Sequence, residues 1–186
     1  MANKYKKIVA LTGAGISKAS GIPTFEDAKE LKSKLSVEYK AMHPAEFKKA
    51  MDTLKNAVKG KKPNDAHYAL AEYDIPIITM NVDSLHKKAG SKTVYEIHGT
   101  AKNDDIVLYG QDVHHYTEAV ELISSLILDV DNVKDSCFLI VGTSLETCLA
   151  NDFKGFADAY GIPVKIINED AEHKVRKFLQ EHVEIG

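Results

Sequence analysis

The chain has 186 residues, 44% of them apolar and 27% charged, with a formal net charge of −3. One domain of this size buries about 70% of its unfolded surface and needs no covalent staple, and its average composition excludes disordered and fibrous classes. The balance carries no basic footprint for nucleic acid, no apolar run spans a bilayer, and two cysteines make neither a disulfide framework nor a four-cysteine zinc site.

In chain order, the short apolar run after Met-Ala-Asn-Lys-Tyr-Lys-Lys does not make a signal peptide, and a cytoplasmic location is expected. Lys7–Thr12 reads as the first buried strand. The charged stretch Asp27–Tyr39 is weakly patterned. Phe47, Ala50, Met51, Leu54 and Val58 recur at three- and four-residue spacing, which predicts a helix starting near Pro44. Ile75–Thr79 is the next strand, and Thr93–Ile97 and Ile106–Tyr109 are weaker ones. Ala119, Val120, Ile123, Leu126, Ile127 and Val130 mark another helix. Cys137–Val141 and Val164–Asn168 are strands around a helix that carries Phe153, Phe156, Ala157 and Tyr160 and stops at Gly161-Ile-Pro163. A last helix runs from about Asp170 to Gln180. Strands alternating with helices predict an α/β fold: a doubly wound, mostly parallel, Rossmann-like sheet with helices on both faces. No repeat or linker divides the chain, so residues 1–186 are expected to form one domain.

In such a sheet, ligands bind beyond the carboxyl ends of the strands. After the first strand comes Gly13-Ala14-Gly15-Ile-Ser17, whose glycines permit a tight turn and let a pyrophosphate approach free N–H groups at a helix start. The dinucleotide fingerprint is incomplete, because Lys18 stands where a third glycine belongs and Glu30 sits in a charged stretch rather than at a strand end. An ordinary dehydrogenase is thereby disfavoured. After the second strand comes Asn81-Val82-Asp83. These polar groups serve either as helix caps or as site residues, and His86 reads as a packing or solvent-facing residue of the helix that follows. His98-Gly99 ends the weak third strand, where an imidazole suits general-base work near neutral pH. Gly142-Thr143-Ser144 and Asn168-Glu169 follow the last two strands. His114-His115 lacks a spaced partner set for a metal and reads as a solvated loop.

The order of these pieces, with Ser20-Gly-Ile-Pro-Thr-Phe25 included, resembles the sirtuins, NAD-dependent protein-lysine deacylases. The resemblance covers about residues 5–180. It implies that NAD is co-substrate and that the partner is an acylated lysine peptide or protein. Gly13, Ala14, Gly15 and Lys18 would lie along the cofactor phosphates, with Thr143 and Ser144 opposite. Phe25 would guard the reacting carbon. Asp83, with the Val82 backbone, would hold the nicotinamide amide. Asn81 would orient the ribose and a water, His98 would be the base on the ribose hydroxyls, and Asn168 and Glu169 would contact the adenine ribose. Leu108, Tyr109 and Gly110 would pair with the substrate peptide by strand addition, with Tyr109 in the acyl-lysine tunnel.

The chain departs from the family pattern at Glu26, Met80 and Gln111, which replace an arginine, a glutamine and a glutamate. Only seven residues separate Gly99 from Val107 where the family carries a four-cysteine zinc module. No zinc is expected, and the small domain is expected to be reduced, with a more open peptide cleft. Asp27–Tyr39 occupies the place of the family's mobile cofactor loop and is expected to order with NAD. Two other uses of the site stay open: NAD hydrolysis or ADP-ribosyl transfer, and non-catalytic nucleotide sensing. The oligomeric state is not legible.

Overall fold

The computed structural model describes residues 4–24, 27–103, 105–145 and 147–183. Phe25 and Glu26, on which two expectations rest, lie outside the described residues. The elements are β1 (Lys7–Thr12), a 3-10 helix (Ala14–Ser20), α1 (Lys29–Ser33), α2 (Val37–Met42), α3 (Pro44–Val58), α4 (Asp65–Glu72), β2 (Ile77–Thr79), α5 (Leu85–Ala89), β3 (Val94–Glu96), α6 (Tyr116–Leu128), a 3-10 turn (Val133–Asp135), β4 (Ser136–Val141), α7 (Cys148–Ala159), β5 (Val164–Ile167) and α8 (Ala171–His182).

The five strands form one sheet in the order β3-β2-β1-β4-β5, and every pairing is parallel. Side chains alternate across a strand, so each strand feeds two cores. Ile8, Ala10, Ile77, Cys137 and Leu139 face one layer, where Ala66, Ala69 and Leu70 of α4 meet Val175, Phe178 and Leu179 of α8. Val9, Leu11, Ile78, Phe138 and Ile140 face the other, against Ala119, Ile123 and Leu126 of α6 and Ala150, Phe153 and Ala157 of α7. The sheet is therefore wound on both faces, as the alternating pattern predicts.

A third, smaller cluster joins Leu35, Leu54 and Leu108, with Val82 and Ile106 packed beside it. It ties α3 to the segments around residues 35 and 108. Among the described residues, no group of three or more His, Cys, Asp or Glu is placed to hold a metal ion.

The structure differs from the sequence reading at four places. Ile106–Tyr109 is not a strand; only Tyr109 makes an isolated bridge, to Ser36. Its apolar residues are explained by the third cluster instead of a sheet. Asp27–Tyr39 contains α1 and the start of α2, with the Ser36 hydroxyl accepting from the Tyr39 amide at 3.0 Å as an N-cap. α4 was not marked by periodicity, yet Asn64 and His67 cap it reciprocally. β5 is an edge strand, and its Lys165 and Ile166 are exposed.

Candidate active site

The strand order reverses at β1: the chain moves outward to β2 and β3, then returns on the other side as β4. The carboxyl ends of β1 and β4 therefore flank the crevice where doubly wound sheets bind ligands. Here the two turns touch. Gly13 donates its N–H to the Val141 carbonyl at 3.0 Å, and Gly15 donates to the Gly142 carbonyl at 2.8 Å. A Cβ on Gly13 would lie 2.3 Å from Thr143 Oγ1, and one on Gly15 would lie 2.6 Å from Gly142 Cα. The glycines are needed because backbone packs on backbone. The Gly13 and Gly15 amides are themselves committed to neighbouring carbonyls. The segment that follows is a 3-10 helix with Ile16 and Ser17 buried, and Ala14 is half-buried.

Thr143 and Asn168 close the far side. The Thr143 N–H donates to Asn168 Oδ1 at 3.0 Å, a bond that does not use the Asn168 amide hydrogens. Thr143 Oγ1 is buried without a partner. Ser144, Asn168 and Glu169 are exposed. Lys18 is exposed too, and its Nζ lies 4.0 Å from Asp27 Oδ2.

At the end of β2, Asn81 and Asp83 are 8% and 6% exposed. Asn81 Nδ2 donates to the Gly13 carbonyl at 3.1 Å and to Ser17 Oγ at 3.2 Å, tying the β2 end to the β1 turn. Asp83 Oδ1 accepts the Leu85 amide at 2.9 Å, and Oδ2 accepts the Ser17 hydroxyl at 2.7 Å. Burial pushes the Asp83 carboxyl above its ordinary value, while the Leu85 and Ser17 bonds oppose the shift. Asp83 thus satisfies the first amide of α5 and remains a buried acceptor beyond the end of β2. Val82 turns toward the third cluster.

His98 follows β3. The Ile97 amide still bonds the Thr79 carbonyl at 3.0 Å, so the ladder runs up to the residue before it. Two strand spacings, about 10 Å, separate the β3 and β1 ends. Burial, and then the nearby His114, lower the proton affinity of His98 below the ordinary histidine value.

The expected peptide edge differs from the sequence reading. The Tyr109 amide donates to the Leu35 carbonyl at 2.9 Å, and its carbonyl accepts the Val37 amide at 3.1 Å. The Leu108 amide donates to Gln111 Oε1 at 2.9 Å. Leu108 is 6% exposed and belongs to the core, whereas Tyr109 is 51% exposed. Gly110 has φ +93°. The chain's own residues 35–37 therefore take the pairing positions of Tyr109.

Sequence reasoning missed Asn64, Ser17 as a hub, and His67. The Asn64/His67 capping spacing was a readable signal. His67 and His86 are 0% and 1% exposed. Burial lowers His67 to about 4 and His86 well below its ordinary value. Both are neutral when folded, and the unfolded chain binds protons first as pH falls. Stability from His67 is complete above about pH 6.5 and drains as pH falls toward 4. It amounts to about 2 kcal/mol lost at pH 5. Melting curves at pH 7.5 and 5 are expected to show this loss, and His67→Gln is expected to shrink it.

A family model described as "Sir2 family" matches residues 13–107. The chain belongs to the Sir2 family. It is 30% identical over 205 residues to an NAD-dependent protein deacetylase of Sulfolobus acidocaldarius, covering 86% of this chain and 78% of the relative. It is 37% identical over 123 residues to NAD-dependent protein deacetylase 2 of Caldanaerobacter subterraneus, 58% of this chain and 48% of that one. The chain thus spans about half the length of some of the curated relatives that it matches. A solved Sir2 structure with a p53 peptide and NAD+ superposes with a TM-score of 0.76 at 26% identity, over 95% of this chain and 93% of that one. The Sir2 fold therefore extends through nearly all of the 186 residues, with the short Gly99–Val107 connection in place.

Proposed function

We propose that this chain is an NAD-dependent protein-lysine deacylase. The observation that carries the reading is the placement of Asn81, Asp83 and His98 on one sheet edge, beside the β1/β4 crevice. The donor set suits a dinucleotide. Asp83 offers a buried acceptor to a carboxamide. Asn168, its oxygen fixed by Thr143, offers amide hydrogens to ribose hydroxyls, and Thr143 Oγ1 has no protein partner.

NAD supplies a labile bond between ribose and a positively charged nicotinamide, which leaves as a neutral ring when the acyl oxygen of lysine takes its place. The protein's part is positioning and proton movement. Asp83, with the Val82 backbone, holds the nicotinamide amide, and Asn81 orients the ribose. His98 takes a proton from a ribose hydroxyl. Gly13, Ala14 and Gly15 give close approach along the phosphates, with Lys18 supplying positive charge. Ser144 and Glu169 complete the rim. The reading keeps residues 1–186 as one NAD-binding domain without zinc. Among the described residues no helix is long and apolar enough to cross a membrane. A cytoplasmic site of action fits Cys137 and Cys148, which are both free.

Incubation with NAD and an acetylated lysine peptide is expected to yield nicotinamide and O-acetyl-ADP-ribose. A protein that binds NAD yet forms neither product defeats the proposal. One observation favours a second reading, NAD hydrolysis or ADP-ribosyl transfer: the Tyr109 backbone is already paired with residues 35–37. Nicotinamide release that needs no peptide would support that reading.

A further inference from the structure

The interior behind Asp83 is polar. His67 of α4 and His86 of α5 have ring centroids 4.8 Å apart, and neither belongs to the residues proposed to touch NAD. His86 Nε2 lies 2.9 Å from Thr12 Oγ1. His67 faces the site through Ser17, whose Oγ lies 3.4 Å from His67 Nε2. The same oxygen is 2.7 Å from Asp83 Oδ2 and 3.2 Å from Asn81 Nδ2.

Counting hydrogens decides how this cluster is wired. A serine hydroxyl has one hydrogen, and an ionised carboxylate only accepts. The Ser17 hydrogen therefore belongs to Asp83, and Asn81 and His67 must both donate to Ser17 Oγ. That requires the Nε2–H form of a neutral His67. Its Nδ1 is then an acceptor, and the Asn64 backbone N–H lies 3.3 Å away to donate to it. The Asn64 side chain is held in one orientation. Its Oδ1 accepts the Ala66 amide at 3.1 Å, and its Nδ2 donates to the Ile16 carbonyl at 2.8 Å and to Ser20 Oγ at 3.1 Å. The opposite tautomer would place Nδ1–H against Asn64 Oδ1, at 3.1 Å. It would also turn a bare Nε2 lone pair toward Ser17, in competition with Asp83 for the only hydrogen.

We propose that His67 is a positioning residue for Asp83, acting through Ser17: its Nε2–H commits the Ser17 hydroxyl to the carboxylate and so fixes the orientation in which Asp83 meets its ligand. The inference deepens the deacylase reading and rests on it for the identity of that ligand, the nicotinamide amide. The link couples α4, a core helix packed on α8, to the sheet edge. It spans 50 residues of sequence between Ser17 and His67.

The test compares three variants. His67→Leu removes the donor at similar bulk. His67→Gln keeps an N–H near the Nε2 position. Ser17→Ala removes the link. Loss of the hydrogen bond between the neutral His67 and Ser17 groups is expected to raise the KM for NAD by up to about tenfold in His67→Leu, with His67→Gln within about threefold of the parent. In a Ser17→Ala background, His67→Leu is expected to add nothing. Multiplying effects, or equal damage from Gln and Leu, would overturn the proposal and leave His67 a packing residue.

Two readouts are independent of turnover. Nitrogen-15 spectra of the parent are expected to report Nε2–H at His67, and an Nδ1–H form overturns the proposal even if His67→Leu fails to fold. Carbon-13 titration of Asp83, which is faced also by Lys88 and Glu96, is expected to move to higher pH in Ser17→Ala and His67→Leu and to hold in His67→Gln. An unmoved midpoint in His67→Leu, or one displaced as far in His67→Gln, overturns it. If those spectra behave as expected while the protein releases no nicotinamide from NAD, the positioning role stands and the deacylase reading falls.

Discussion

His98→Ala is expected to cut peptide-dependent nicotinamide release by about 10²- to 10⁴-fold, the range for removing a positioned base, while calorimetry finds NAD still bound. The argument is one of place and protonation. His98 stands just past β3, on the edge that carries Asn81 and Asp83. Burial and the neighbouring His114 lower its proton affinity below that of an ordinary imidazole, so the ring is neutral and able to accept at pH 7. A base works deprotonated. The rate is therefore expected to rise with pH through a value below about 6.5 and to be flat above it. His114→Gln removes the neighbour's charge and is expected to move that rise to higher pH. Turnover unchanged in His98→Ala would remove His98 as the base, and a parent that binds NAD without releasing nicotinamide would leave the chain a nucleotide sensor.

Gly142→Ala is expected to lower stability by about 4 kcal/mol, from a left-handed backbone and overpacking together, and to abolish NAD binding. Gly142 has φ +62°, and a Cβ there would sit 2.2 Å from the Ile16 amide nitrogen and 2.5 Å from the Gly15 carbonyl carbon. Both obstacles are backbone, so no rotamer relieves them. For a chain of this size the melting temperature is expected to fall by about 10 °C. Gly155 supplies the contrast. It lies in α7, where a Cβ would meet nothing within 4 Å. Gly155→Ala is expected to raise stability by up to about 1 kcal/mol through helix propensity. A Gly142→Ala protein that melts like the parent would mean that the β1 and β4 turns do not touch.

The strands were legible where burial on both faces made continuous apolar runs, as in Lys7–Thr12 and Cys137–Val141. Ile106–Tyr109 shows the limit of that signal: Leu108 is apolar because it packs with Leu35 and Leu54, and a core loop reads like a strand. α4 escaped because its apolar face is short, with Leu70 beside the small Ala66 and Ala69, and its marker is a cap. At the site, Asn81, Asp83 and His98 were legible because each follows a strand. Their supports were not, since Ser17, Asn64 and His67 meet only after α4 packs beneath the β1 turn. The pairing of Tyr109 with residues 35–37 was equally invisible, because backbone partners leave no imprint on side-chain pattern.

The two outer strands of the sheet are brief, three residues in β3 and four in β5, and β5 carries an exposed lysine at residue 165. A parallel sheet with long bare rims invites a second chain to add its own strand. Here the rims are too short to template one, and the lysine places a solvated charge on one of them. Concentrated solutions are thereby protected from sheet-to-sheet growth.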